Sequence, residues 1–146
     1  MTFIPDEDYA FIYNRVPRAC VDLAIRNESG ALLLCLRDIE PHKGLWHLPG
    51  GGIKFKETIA EAANRISRKE FGVEVKILRT IGVCEVMNDD LASDKPRHSI
   101  SVVVEAQIVT GVPQATDETV EARYFTELPV EMNPYHQEFI KENDLM

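Results

Sequence analysis

The feature that most constrains this chain is a run of three glycines, Gly50 to Gly52, followed by an amphipathic segment that ends at Gly72. Within the segment, apolar residues recur at steps of three and four, which is the period of one helix face. They are Ile59, Ala62, Ala63 and Ile66. The pattern predicts a helix over 57–71 with Gly72 as its C-cap, directly after a glycine-rich loop.

Apolar runs on both sides of this helix predict strands. The predicted strands are 19–27, 31–38, 73–87, 98–109 and 121–126. The first two are expected to form a hairpin through the turn 28–30, and Gly82 is expected to bulge or break the third. Shorter helices are predicted at 6–15 and 134–141. The order predicts one domain over 1–146 of the α+β class, an α/β/α sandwich with a mixed sheet and one central helix.

Charge and composition limit the class of ligand and the location that are expected for this protein. The formal net charge is -8, which argues against a nucleic-acid polymer as the main ligand. No run of about 20 apolar residues is present, so no membrane span is expected. Cys20, Cys35 and Cys84 lie in apolar runs and are expected to be buried thiols. Together with an acidic N-terminus that lacks a signal-peptide pattern, they predict a cytoplasmic protein.

The central segment resembles the Nudix box, the signature of hydrolases that act on nucleoside diphosphates linked to another moiety. The positions that fit the pattern are Gly51, Glu57, Arg65, Glu70, Gly72 and Val73, whereas Ile66, Ser67 and Lys69 depart from it. The strands before and after the box also look like the Nudix arrangement. The resemblance therefore covers nearly the whole chain and implies the Nudix fold and a small-molecule nucleotide substrate.

The resemblance also implies a metal site at the end of the helix. Glutamates at positions 66, 69 and 70 would share one helix face and aim three carboxylates at a magnesium cluster. Here Glu70 alone remains, so the implied ligands of a single Mg²⁺ (or Mn²⁺) are Glu70 and the carbonyl of Gly50. Glu57 and Arg65 lie two helical turns apart, and this spacing predicts a structural ion pair that holds the loop.

One branch of the family, the GDP-mannose mannosyl hydrolases, is similar in losing the same two glutamates. In that branch water displaces the sugar from the metal-bound diphosphate. Asp22, Arg37 and His98 match its residues, so the resemblance implies that all three bind substrate and that Arg37 and His98 assist catalysis. Trp46 is expected to pack or to stack on the base at the pocket edge. Homodimers are common in this branch, and a homodimer is expected here.

Three positions of the branch pattern are not matched. Gly52 stands where the branch has an arginine, and Thr119 and Val120 replace its glutamine and its catalytic histidine. Glu118 and Glu121 are the nearby carboxylates, and either could act as the general base. Three functions therefore remain open: a hydrolase releasing nucleoside diphosphate and sugar, an ordinary pyrophosphatase giving nucleoside monophosphate and sugar phosphate, and a nucleotide-binding module without turnover.

Overall fold

The computed structural model describes residues 4–38, 42–88, 97–116 and 119–146. Its helices and strands confirm the predicted α+β class. The elements are α1 (Asp6–Tyr13), β1 (Arg18–Ile25), β2 (Leu32–Leu36), β3 (Trp46–His47), β4 (Gly50–Gly52), α2 (Ile59–Phe71), β5 (Glu74–Asn88), β6 (Arg97–Thr110), β7 (Glu121–Phe125) and α3 (Pro134–Glu142). No described helix is long and apolar enough to cross a membrane.

The strands form two sheets. The larger sheet is mixed and has the order β4-β1-β6-β5, with β1 and β6 parallel and the outer pairs antiparallel. The smaller sheet is antiparallel, in the order β3-β2-β7. Helix α2 covers one face of the larger sheet through Ala62, Ala63 and Ile66, and α3 covers the other through Phe139 and Ile140. The predicted α/β/α layering is therefore confirmed.

The predicted hairpin between the first two strands is wrong. The turn itself forms, because the Asn27 side-chain oxygen accepts hydrogen bonds from the backbone N–H of Ser29 and of Ala31. Beyond the turn, Arg26 and Leu32 make one isolated bridge, and β1 and β2 then enter different sheets. Strand β1 is buried on both sides and pairs with β4 and β6, which leaves it no edge for β2.

Helix α2 begins two residues later than the apolar pattern predicts. The Thr58 hydroxyl accepts a hydrogen bond from the N–H of Glu61, so Thr58 is the N-cap. The helix ends as predicted at Gly72, whose φ of 73° is left-handed and favours glycine. The predicted irregularity at Gly82 is confirmed by a shift of register between Thr80 and Gly82.

Candidate active site

The Glu57–Arg65 pair fixes the glycine strand β4 to helix α2. Arg65 Nε donates to Glu57 Oε2 at 2.7 Å, and Arg65 Nη2 donates to the Gly52 carbonyl at 2.7 Å. Glu57 also accepts the N–H of Lys54 at 3.0 Å. The Glu57 side chain is 5% exposed, and its hydrogen bond from Arg65 lowers the pKa of the carboxyl below its usual value. The pair predicted from spacing is thus a buried clamp on the loop.

Replacing Glu57 by glutamine is expected to lower the free energy of unfolding by about 2 kcal/mol at pH 7, because the charged hydrogen bonds to Arg65 are lost. The pKa of Glu57 is lower in the folded than in the unfolded protein, so its ionised carboxyl stabilises the folded state above the unfolded pKa of about 4.5. This stabilisation is lost as the pH falls through the folded-state pKa. The difference between wild type and variant should therefore shrink below that pH. Urea unfolding of both proteins between about pH 3 and pH 7 measures it, and a constant difference would contradict the prediction.

A groove of about 800 Å³ lies between α1, β4 and the last turn of α2. Both predicted metal ligands, Gly50 and Glu70, line it. Among the described residues of the groove, Glu70 is the only carboxylate, and the exposed Lys69 stands beside it. In the described part of the chain no three histidine, cysteine or acidic residues converge as a metal site.

These donors fit one Mg²⁺ better than a multi-metal cluster. A carboxylate and a carbonyl are the hard oxygen ligands that magnesium prefers, and magnesium keeps waters and recruits substrate phosphates for its other positions. Glu70 and the Gly50 carbonyl would therefore hold the ion together with the ligand rather than alone.

A smaller cavity of about 120 Å³ adjoins the groove and shares Arg18, Gly50 and Gly51 with it. It contains Asp22 and Arg37, so the structure brings these two predicted substrate contacts together. Asp22 is 7% exposed. Its Oδ2 accepts a 2.6 Å hydrogen bond from the Ser101 hydroxyl, and its Oδ1 lies against Gly50 so closely that a Cβ at position 50 would overlap it.

Two histidines of this cavity were missed by sequence analysis. His136 is 6% exposed. Its Nδ1 accepts a hydrogen bond from the N–H of Leu48 at 3.0 Å, so the ring proton is on Nε2. Nε2 lies 3.4 Å from Asp22 Oδ2. His47 Nδ1 donates to the Leu48 carbonyl at 2.7 Å. Burial, with the nearby His136 and Arg37, lowers the pKa of His47 to about 4. His47 is therefore neutral at pH 7 and presents an unprotonated Nε2.

The position of His136 on α3 carries a signal that could have identified it. The apolar residues that anchor α3, Phe139 and Ile140, follow His136 at steps of three and four. The histidine thus shares their buried face.

Two other predicted site residues, Trp46 and His98, line neither of the two cavities. Trp46 is 7% exposed and packs edge-on against Phe125 with ring centroids 4.7 Å apart, which is the first of its two predicted roles. Its stacking on a base stays a prediction. His98 is exposed and faces away from Ser99 and Ser101, which line the smaller cavity. Its predicted substrate and catalytic contacts are not supported.

Glu121 points to the wrong face for a general base beside Glu70. It is exposed and lies 3.6 Å from Arg123, on the opposite face of β7 from Ala122. Ala122 pairs with Cys35. Burial raises the pKa of the Cys35 thiol, the Glu70 carboxylate raises it further, and a hydrogen bond with Thr119 opposes both. Glu70 and Thr119 thus both act on the pKa of the Cys35 thiol. Glu118, the other predicted base, lies outside the described residues.

Comparison with known proteins identifies the family. The NUDIX domain model matches residues 16–142. The low-salt glycan biosynthesis protein Agl8 of Haloferax volcanii is 36% identical over 109 residues, which are 73% of this chain and 69% of that protein. An ADP-ribose pyrophosphatase of Methanocaldococcus jannaschii is 34% identical over 110 residues, or 75% of this chain. The match spans 62% of that relative, less than two thirds of its length.

The fold is shared with solved members of the family. A MutT NUDIX hydrolase from Burkholderia pseudomallei has a TM-score of 0.71 and 26% identity, over 87% of this chain and 98% of that chain. The family match runs from before β1 to the end of α3. Because it covers both sheets and the helix that carries Glu70, this chain belongs to the Nudix domain family.

Proposed function

We propose that this protein is a magnesium-dependent hydrolase of a nucleoside-diphosphate-linked compound, a nucleotide sugar such as GDP-mannose, and that it releases nucleoside diphosphate and free sugar. The observation that carries the proposal is that the described residues bring a single carboxylate, Glu70, to the groove that Gly50 also lines. Attack at phosphorus demands strong neutralisation of the phosphate that is attacked. Attack at carbon needs only a stabilised leaving diphosphate, which one ion held by Glu70, Gly50 and the substrate can provide.

The reaction displaces the diphosphate from the sugar. The water oxygen forms a bond to the anomeric carbon, the bond from that carbon to the diphosphate oxygen breaks, and its electron pair leaves with the diphosphate. The proton of the water passes to a general base. Magnesium held by Glu70 and the Gly50 carbonyl would supply positive charge to the leaving group.

The protein's own residues bind and orient the two halves of the substrate. Arg37 can bind phosphate oxygens with two parallel N–H groups. Asp22 is fixed by Ser101 and can accept a hydrogen bond from a sugar hydroxyl in the smaller cavity. The relative Agl8 supports a sugar-linked substrate, since its name places it in glycan biosynthesis. A homodimer and a cytoplasmic location remain predictions from the sequence.

We assign the general base to Glu118. It precedes Thr119, whose side chain hydrogen-bonds with the Cys35 thiol, and the Glu70 carboxylate raises the pKa of the same thiol. Glu121 instead pairs with Arg123 on the other face of β7. Replacing Glu118 by glutamine is expected to lower kcat about 100-fold or more, because general-base catalysis contributes roughly 10²–10⁴. The matched Glu121→Gln change should leave kcat within about threefold. Steady-state rates of the two variants test this, and the reverse ranking would transfer the assignment to Glu121.

The deciding experiment for the proposed function is product analysis in water labelled with ¹⁸O. The protein is incubated with magnesium and a panel of nucleotide sugars, with GDP-mannose first, and the products are separated and weighed by mass spectrometry. Label in the free sugar, with unlabelled nucleoside diphosphate, supports attack at carbon.

Two other outcomes would overturn this proposal. Label in a phosphate of nucleoside monophosphate or sugar phosphate would establish an ordinary pyrophosphatase, the candidate that the 34% identical ADP-ribose pyrophosphatase favours. Nucleotide binding without any product would leave a binding module.

A further inference from the structure

Arg18 occupies the space above the glycine strand. A Cβ built on Gly52 would overlap Arg18 Nη2 and would lie 2.6 Å from its Cζ, so the guanidinium lies directly on the Gly52 backbone. This arrangement is possible because residue 52 has no side chain. Arg18 and Gly52 belong to neighbouring strands of the larger sheet, since Cys20 is the register partner of Gly52. The guanidinium is thus placed by the fold and not by a charged neighbour.

The surroundings of Arg18 suit an anion. Its guanidinium lies 5.6 Å from the centroid of the Tyr9 ring. In the described part of the chain, no Asp or Glu forms an ion pair with it. The other arginine of the groove, Arg65, is already paired with Glu57. In a chain of net charge -8, a partly buried guanidinium that no described carboxylate pairs with marks a place where an external anion can supply the charge.

Arg18 also stands at the junction of the two cavities. It lines the groove with Tyr9, Tyr13 and Glu70, and it lines the smaller cavity with Asp22 and Arg37. A nucleotide sugar whose nucleoside lies in the groove and whose sugar lies beside Asp22 must pass its diphosphate between them. That path runs along Gly50 and Gly51, which both cavities share.

We propose that Arg18 is a diphosphate-binding residue and holds the substrate's diphosphate against the glycine strand. The proposal rests on the proposed function and adds a second arginine, besides Arg37, to substrate recognition. The planar guanidinium can donate two parallel hydrogen bonds to phosphate oxygens, which a lysine ammonium cannot reproduce.

The test measures binding rather than turnover. Isothermal titration calorimetry with ADP, GDP, UDP and inorganic pyrophosphate is carried out on wild type, Arg18→Ala, Arg18→Lys and Arg79→Ala, with magnesium and again in EDTA. Arg79 is a matched control, because it is exposed on β5 and lines neither cavity. Arg18→Ala should weaken pyrophosphate and the best nucleoside diphosphate about 10- to 100-fold, Arg18→Lys should recover only part of this, and Arg79→Ala should bind as wild type.

Moving the guanidinium provides an independent check. In the double variant Arg18→Ala, Gly52→Arg the new side chain starts from the backbone on which the Arg18 guanidinium lies. It should restore affinity at least threefold over Arg18→Ala, while near-identical circular dichroism and thermal unfolding of all variants exclude a folding defect.

Two results would overturn the proposal, and they are distinguishable. Unchanged affinity in Arg18→Ala, with wild type binding normally, would remove the role of Arg18 and leave the proposed function intact. Failure of wild type to bind all four probes would remove the proposed function and this inference together.

Discussion

Replacing Glu70 by glutamine is expected to lower kcat for the nucleotide sugar about a thousandfold and to raise the magnesium concentration needed for half-maximal rate. The amide keeps the size of the side chain but loses the only negative charge that the described residues bring to the groove. Metal-ion stabilisation of a leaving group contributes several kcal/mol, and about 4 kcal/mol corresponds to a factor of roughly 10³ in rate. Initial rates across a magnesium titration measure both effects.

Glu61→Gln is the matched control for this change. Glu61 lies in the first turn of the same helix, is exposed and does not line the groove. Its variant should retain the wild-type rate and the wild-type magnesium dependence. If Glu70→Gln also kept both, the metal would have to be held by other residues, and the single-carboxylate site would be abandoned.

Replacing Gly50 by alanine is expected to destabilise the protein by about 3 kcal/mol. The added Cβ would overlap Asp22 Oδ1 and would lie 2.7 Å from the Val21 carbonyl oxygen, so either β1 and β4 must separate or the Asp22 carboxylate must move. Overpacking in a buried site costs roughly 1–3 kcal/mol, and moving Asp22 weakens its 2.6 Å hydrogen bond from Ser101 as well. Urea unfolding followed by circular dichroism gives the difference.

Gly51→Ala controls for the loss of a glycine in the same strand. Its Cβ would point to α2 and lie 3.4 Å from Ile66 Cδ1, which is ordinary contact. The expected destabilisation is below about 1 kcal/mol. Equal losses for the two variants would show that the strand needs flexible backbone in general and that the Asp22 contact is not special.

The sequence predicts those structural features that are formed by residues close together along the chain. Helix α2 follows from the repeat of Ile59, Ala62, Ala63 and Ile66, and its end follows from Gly72. The Glu57–Arg65 pair is predicted from a separation of two helical turns and it forms, but Glu57 lies before the N-cap Thr58 and reaches Arg65 from the loop. Each of these is decided within about 15 residues, so local pattern is sufficient.

Features that depend on strand register cannot be predicted from local sequence patterns, because the paired residues lie far apart in the chain. The turn at 28–30 forms as the sequence predicts, but the hairpin does not, because β1 pairs with β6, far along the chain. The contact of Arg18 with Gly52 exists only because Cys20 aligns with Gly52. No periodicity in the sequence reports this alignment.

The pairing of β1 with β6 also governs when the protein can fold during its synthesis. Arg18 is aligned with Ser99, and Leu32 of the smaller sheet is aligned with Phe125. Until these distant partners have left the ribosome, β1 and β2 expose buried strand edges and the carboxylate of Asp22 lacks the hydroxyl of Ser101. Long-range parallel pairing is slow to form. We therefore expect the nascent chain to assemble the smaller cavity as one of its last folding events, and a ribosome stalled before β6 to hold a chain with exposed strand edges that a chaperone must shield.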